Sequence, residues 1–109
     1  MDIRQLTDEM NRFVSAKGWY EEDSPRPQTA RNLAISLVLE ASEVLEHYQW
    51  GDTEKSTDEL SGELADVALY LLQLASVTGI DLEEAVLAKL DQNYKRDWDI
   101  KTTKQGKNL

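Results

Sequence analysis

Apolar positions recur at helical spacing in four stretches of the chain, and turn-forming residues separate them. Ile3, Leu6, Met10, Phe13 and Val14 mark the first stretch, with Gly18 placed to stop a helix just after Lys17. Trp19 to Gln28 carries Pro25, Pro27 and the acidic run Glu21, Glu22 and Asp23, which predicts a loop. Thr29 is a suitable N-cap for a second helix running to about Tyr48, ended by Gly51-Asp52. Ser56 with Glu59 three residues on predicts a capping box and a third helix to about Thr78, closed by Gly79. Asp81 with Glu84 repeats the acidic cap for a fourth helix ending near Arg96. No alternating strand pattern and no internal repeat competes. The chain therefore reads as all-α, with one domain over residues 1–100 and a polar, flexible tail over 101–109.

The second and third helices share a grammar. Leu33, Leu37, Ala41, Val44 and Tyr48 form an apolar stripe beside the polar stripe Ser36, Glu40, Glu43 and His47. Leu60, Leu64, Val67, Leu71 and Leu74 lie beside Glu59, Glu63, Asp66 and Tyr70 in the same way. Each helix thus carries an i, i+3 acidic pair next to its core seam. Ile35, Val38 and Leu39 make the second helix apolar on its other side as well. Four short helices cannot bury both sides, so a second subunit is expected to cover one.

The acidic pairs bring chemistry into the picture. Carboxylates at i and i+3 stand roughly 5–6 Å apart at Cβ. Two such pairs on adjacent helices would converge on one small volume, where like charges repel unless a cation intervenes. Oxygen donors suit Mg²⁺, which commonly leaves positions for substrate phosphates. A dinuclear iron or manganese bundle would need Glu-x-x-His on two helices, whereas the only histidine is His47, four residues after Glu43. His47 reads as a residue at a helix end, and no catalytic triad is supported.

Composition narrows the classes. The 109 residues suit one domain and include no cysteine, so neither disulfides nor thiolate metal sites are available. The polar N-terminus has no signal core, and no uninterrupted apolar run approaches the roughly 20 residues that span a bilayer. A cytoplasmic protein without a membrane partner is expected. A net charge of −9 argues against nucleic-acid binding. Twelve acidic residues and one basic residue, Lys55, lie between Asn32 and Ala88, while six of the twelve basic residues follow from Lys89 onward. Lys89, Asn93 and Arg96 fall on one face of the fourth helix with Lys95 beside it, a face suited to phosphate oxygens. Trp19, Trp50 and Tyr70 are candidates to stack on a base.

Taken in order, several runs resemble the MazG-like all-α nucleotide pyrophosphohydrolases, nearest to the dCTP pyrophosphatase-type branch. They are Arg31-Asn32-Leu33-Ala34, Leu39-Glu40-Ala41-Ser42-Glu43, Glu46-His47-Tyr48-Gln49-Trp50, Glu63-Leu64-Ala65-Asp66-Val67-Ala68-Leu69-Tyr70 and Lys89-Leu90-Asp91-Gln92-Asn93-Tyr94-Lys95-Arg96. The resemblance implies a four-helix bundle-like domain assembled as a dimer or tetramer. It implies Glu40, Glu43, Glu63 and Asp66 as ligands of Mg²⁺, with Mn²⁺ a substitute, and Glu40 or Glu43 as the group that accepts a proton from water. Lys89 and Asn93, helped by Lys95 and Arg96, would hold a triphosphate, and Asn32, Trp50, Tyr70 and Trp19 would line the sugar and base pocket.

The implied reaction cleaves a (deoxy)nucleoside triphosphate to the monophosphate and pyrophosphate, as in dNTP pool cleansing. A non-catalytic helical module that binds nucleotides or a protein partner is the alternative. The chain departs from the branch in a longer stretch between Trp19 and Asn32, and in Gln28 and Met10 where that branch carries histidines. Both departures bear on the base.

Overall fold

The computed structural model describes residues 1–96, and within them the chain is four helices: α1 Ile3–Ala16, α2 Ala30–Glu46, α3 Thr57–Val77 and α4 Leu82–Tyr94. The all-α expectation holds. The expected tail over 101–109 lies outside the described residues.

Each helix begins on a side chain that satisfies an orphan backbone N–H. Asp2 accepts from the Gln5 N–H while the Gln5 amide oxygen accepts from the Asp2 N–H, closing a capping box. Thr29 accepts from the Asn32 N–H at 3.1 Å and Asp81 from that of Glu84 at 3.0 Å. At α3 the Ser56 half of the expected box forms, with its hydroxyl accepting from the Glu59 N–H at 3.2 Å.

Two helix ends share one stop. Gly18 and Gly79 adopt φ of 75° and 76°, the left-handed region that glycine enters at no steric cost. After α1, the Gly18 and Trp19 N–H groups donate to the Ser15 and Val14 carbonyls; after α3, Gly79 and Ile80 donate to Ser76 and Ala75. Both are Schellman closures. α2 ends earlier than its periodicity suggests, at Glu46, and residues 47–50 continue as turns.

α2 and α3 pack along one another as the main pair, and α1 lies on the C-terminal half of α3. The pair runs antiparallel: His47 after α2 meets Glu63 early in α3, while Gln28 before α2 meets Gln73 late in α3. Met10, Val14 and Leu72 form the buried cluster, edged by Ile3, Trp19 and Leu82. α4 rests on α1 through Leu82 and the Arg4–Asp81 ion pair.

α3 differs from one expectation. Its 21 residues are, by length and average composition alone, enough to reach across a bilayer. Glu63 and Asp66 in mid-helix would be costly in hydrocarbon, and α2 packs along it, so it reads as the central helix of the fold.

Candidate active site

The antiparallel packing of α2 on α3 sets the two acidic pairs face to face. The Glu40 carboxyl is held above the ordinary carboxylate range, first by partial burial and then by the negative charge of Glu43, Asp66 and Glu63. One side chain feels all three others, so the pairs do share a region. They do not yet share a coordination sphere: among the described residues no three carboxylate or imidazole groups gather closely enough to hold an ion.

Glu63 has a partner that the periodicity did not advertise. His47, at 3% exposure one of the most buried polar residues, donates from Nε2 to Glu63 Oε1 at 2.5 Å. Its Nδ1 is buried without a partner among the described residues, so this one bond sets the ring's tautomer. His47 is therefore more than a helix-end residue: it fixes the rotamer of a carboxylate in the acidic region. The signal was present in the polar stripe Ser36, Glu40, Glu43, His47.

Asp66 also opens onto a cavity of about 470 Å³. Helix α1 gives the cavity Met10, Phe13 and Val14; α2 gives Asn32, Leu33 and Ser36; α3 gives Asp66, Tyr70 and Gln73. The Gly18 closure delivers Trp19 to its wall, where the indole meets Phe13 edge-on at 5.6 Å. The proline loop contributes Arg26, whose guanidinium stands 5.6 Å from the Trp19 ring. Asn32 donates to the Pro27 carbonyl at 3.0 Å and so ties the loop to the start of α2. Arg26 and Gln73 were not anticipated. Gln73 continues the α3 face on which Glu63, Asp66 and Tyr70 lie; Arg26 carries no periodic signal.

Of the expected substrate residues, Trp19, Asn32 and Tyr70 line this cavity together with Asp66. Trp50 does not; it sits in the turn after α2 and is 88% exposed. Lys89, Asn93, Lys95 and Arg96 do not line it either. The reason is the docking of α4 on α1, away from the seam between α2 and α3. Lys89 bonds the Gln92 side chain at 3.3 Å, and Lys95 pairs with Asp91 at 3.1 Å. Asn93 Oδ1 is buried without a partner among the described residues.

The seam with its acidic pairs, and the α3 wall of the cavity, lie within a segment shared with known proteins. The model of the MazG-like family matches residues 35–109. The chain belongs to the MazG-like family. It is 38% identical over 104 residues to dCTP pyrophosphatase 1 of Mus musculus and 36% identical to that of Homo sapiens, each match covering 87% of this chain and 56% of the relative. It thus spans little more than half the length of these relatives. A dATP/dGTP diphosphohydrolase of Salmonella phage PMBT28 is 35% identical over 81 residues, 74% of this chain and 24% of that protein. Among solved structures, a pyrophosphatase from Archaeoglobus fulgidus is similar with a TM-score of 0.66 at 34% identity, covering 83% of this chain and 86% of the other.

Proposed function

We propose that this chain is a nucleoside triphosphate pyrophosphohydrolase that uses a divalent cation to convert a (deoxy)nucleoside triphosphate to its monophosphate and pyrophosphate. The observation that carries the reading is the double position of Asp66, which belongs both to the acidic region and to the wall of the cavity. Phosphates and a nucleoside need adjoining sites of these two kinds. The names of the similar proteins point the same way.

The donor chemistry of these residues suits a hard divalent cation. They offer only oxygen donors, on two helices, and the Glu40 carboxyl is held above its ordinary range first by burial and then by the negative charge of its neighbours. Glu40, Glu43, Glu63 and Asp66 would hold it, with Mg²⁺ expected and Mn²⁺ as a substitute. What such a cation supplies when bound is neutralised phosphate charge and a more acidic water. Glu40 or Glu43 takes the proton as water adds to phosphorus at the α–β linkage and the bridging P–O bond breaks, releasing pyrophosphate. His47 keeps Glu63 in place. Trp19, Asn32 and Tyr70 seat the nucleoside.

Lys89, Asn93, Lys95 and Arg96 are proposed to hold the triphosphate of a neighbouring chain's site, with Trp50 also acting across that boundary. A homo-oligomer is then part of the working enzyme, and its role is dNTP pool cleansing. Glu40→Gln and Glu63→Gln should each lower Mg²⁺-dependent pyrophosphate release from dNTPs about a hundredfold or more. Turnover near that of the unsubstituted chain in both variants would remove the carboxylates from the mechanism.

A further inference from the structure

The cavity ends on a pair of side-chain amides whose orientation is forced. The Arg26 backbone carbonyl can only accept, so the group 2.6 Å from it is the amide nitrogen of Gln28. The Gln28 oxygen therefore faces Gln73, and at 2.6 Å it must accept from Gln73 Nε2. The second Nε2 proton points to the Tyr20 hydroxyl oxygen at 3.4 Å. That oxygen is available to accept because Tyr20 donates its own proton to Asn11 Oδ1 at 2.6 Å, and Asn11 in turn donates to Ser76 Oγ at 3.0 Å.

Both donors of Gln73 are thus committed to the wall. Gln73 is 4% exposed and lines the cavity, and its Oε1 accepts no hydrogen bond among the described residues. What it offers an occupant is an acceptor, fixed in place.

Position along α3 says which part of an occupant meets it. Asp66, Tyr70 and Gln73 lie at i, i+4 and i+7 on one face, so Gln73 is about 10 Å along the helix axis from Asp66. That is the length of a nucleoside laid along the helix. With phosphates at the Asp66 end and the sugar beside Tyr70 and Asn32, the edge of the base farthest from the sugar arrives at Gln73. On that edge cytosine and adenine carry an amino group, whereas thymine, uracil and guanine carry a keto oxygen.

We propose that Gln73 is a specificity-determining residue that accepts a hydrogen bond from the amino group of cytosine or adenine, with Gln28 as the positioning residue that stops its amide from turning over. The assignment rests on the nucleotide reading above. A keto oxygen at the same place sets two acceptors against each other, and sites built around a fixed polar group reject such analogues strongly.

The test is kcat/KM of the full chain with Mg²⁺ for dCTP, dATP, dTTP and dUTP. The unsubstituted chain should favour the amino bases about tenfold or more. Gln73→Leu should abolish that ratio by lowering kcat/KM for dCTP and dATP more than for dTTP and dUTP. Gln28→Ala, a change in the loop that spares the helical core, should also lower the ratio by freeing the amide, and it decides the matter if Gln73→Leu does not fold. A ratio near one in the unsubstituted chain, or a ratio unmoved by Gln28→Ala, overturns the assignment while leaving the hydrolase reading intact. No cleavage of any dNTP overturns both.

Discussion

At the scale of single residues, the acidic region works through a neighbour that binds nothing itself. His47 is buried and gives Glu63 Oε1 a hydrogen bond at 2.5 Å, which would orient that carboxylate toward the proposed cation. His47→Ala should raise the Mg²⁺ concentration needed for half-maximal activity about tenfold or more, with KM for dNTP little changed. A magnesium titration of pyrophosphate release measures both, and an unmoved magnesium dependence would leave His47 a packing residue only. The four carboxylates were legible because i, i+3 spacing beside an apolar seam is a periodic signal. His47 sat in the same stripe, but a lone histidine carries no partner in one dimension, and Glu63 is sixteen residues away. Arg26 was illegible for a different reason: a loop has no period, so only the folded chain shows its guanidinium over Trp19.

At the scale of elements, helix ends do more than stop helices. Three starts were readable, since Thr29, Ser56 and Asp81 cap as their residue types suggest, while the Asp2 cap of α1 shows only in the structure. The packing of α4 was not readable. Its amphipathicity is weak, and what places it on α1 is a contact between residues far apart in sequence, Arg4 with Asp81. The Asp81 carboxyl is held below its ordinary range by the Glu84 N–H and then by Arg4. The closure at Gly18 has a functional side, because it turns the chain so that Trp19 reaches the cavity. A Cβ at Gly18 would meet only Glu21 Cγ at 3.9 Å, an ordinary contact, so the cost of a substitution lies in the positive φ. Gly18→Ala should therefore lower unfolding free energy by about 1 kcal/mol. It should also raise KM for dNTP, since relief of the strain shifts Trp19. Chemical denaturation and steady-state kinetics check the two effects, and a destabilised variant with unchanged KM would separate the turn from the site.

At the scale of the molecule, the described residues form an extended body with much apolar surface exposed. Its radius of gyration is 17.4 Å, against about 13 Å for a compact domain of this length. Val38, Leu39 and Leu45 on α2 are 59–69% exposed, and Leu87 and Leu90 on α4 are 59% and 50% exposed. Apolar surface on this scale marks an interface in a stable protein. Lys89, with Lys95 and Arg96 just after α4, and Trp50 also stay outside the chain's own cavity. Cover from a second copy would answer both deficits at once. The purified chain should then scatter light as a dimer or tetramer at micromolar concentration, and its specific activity should fall on dilution below the dissociation range. Val38→Glu places a charge in the middle of the exposed α2 face, where burial without a partner is costly. It should yield a smaller species that keeps its helical circular dichroism but loses most pyrophosphate release. A monomer with full activity, in the variant or in the unsubstituted chain, would mean that one chain's carboxylates and cavity suffice and that the α4 face acts elsewhere.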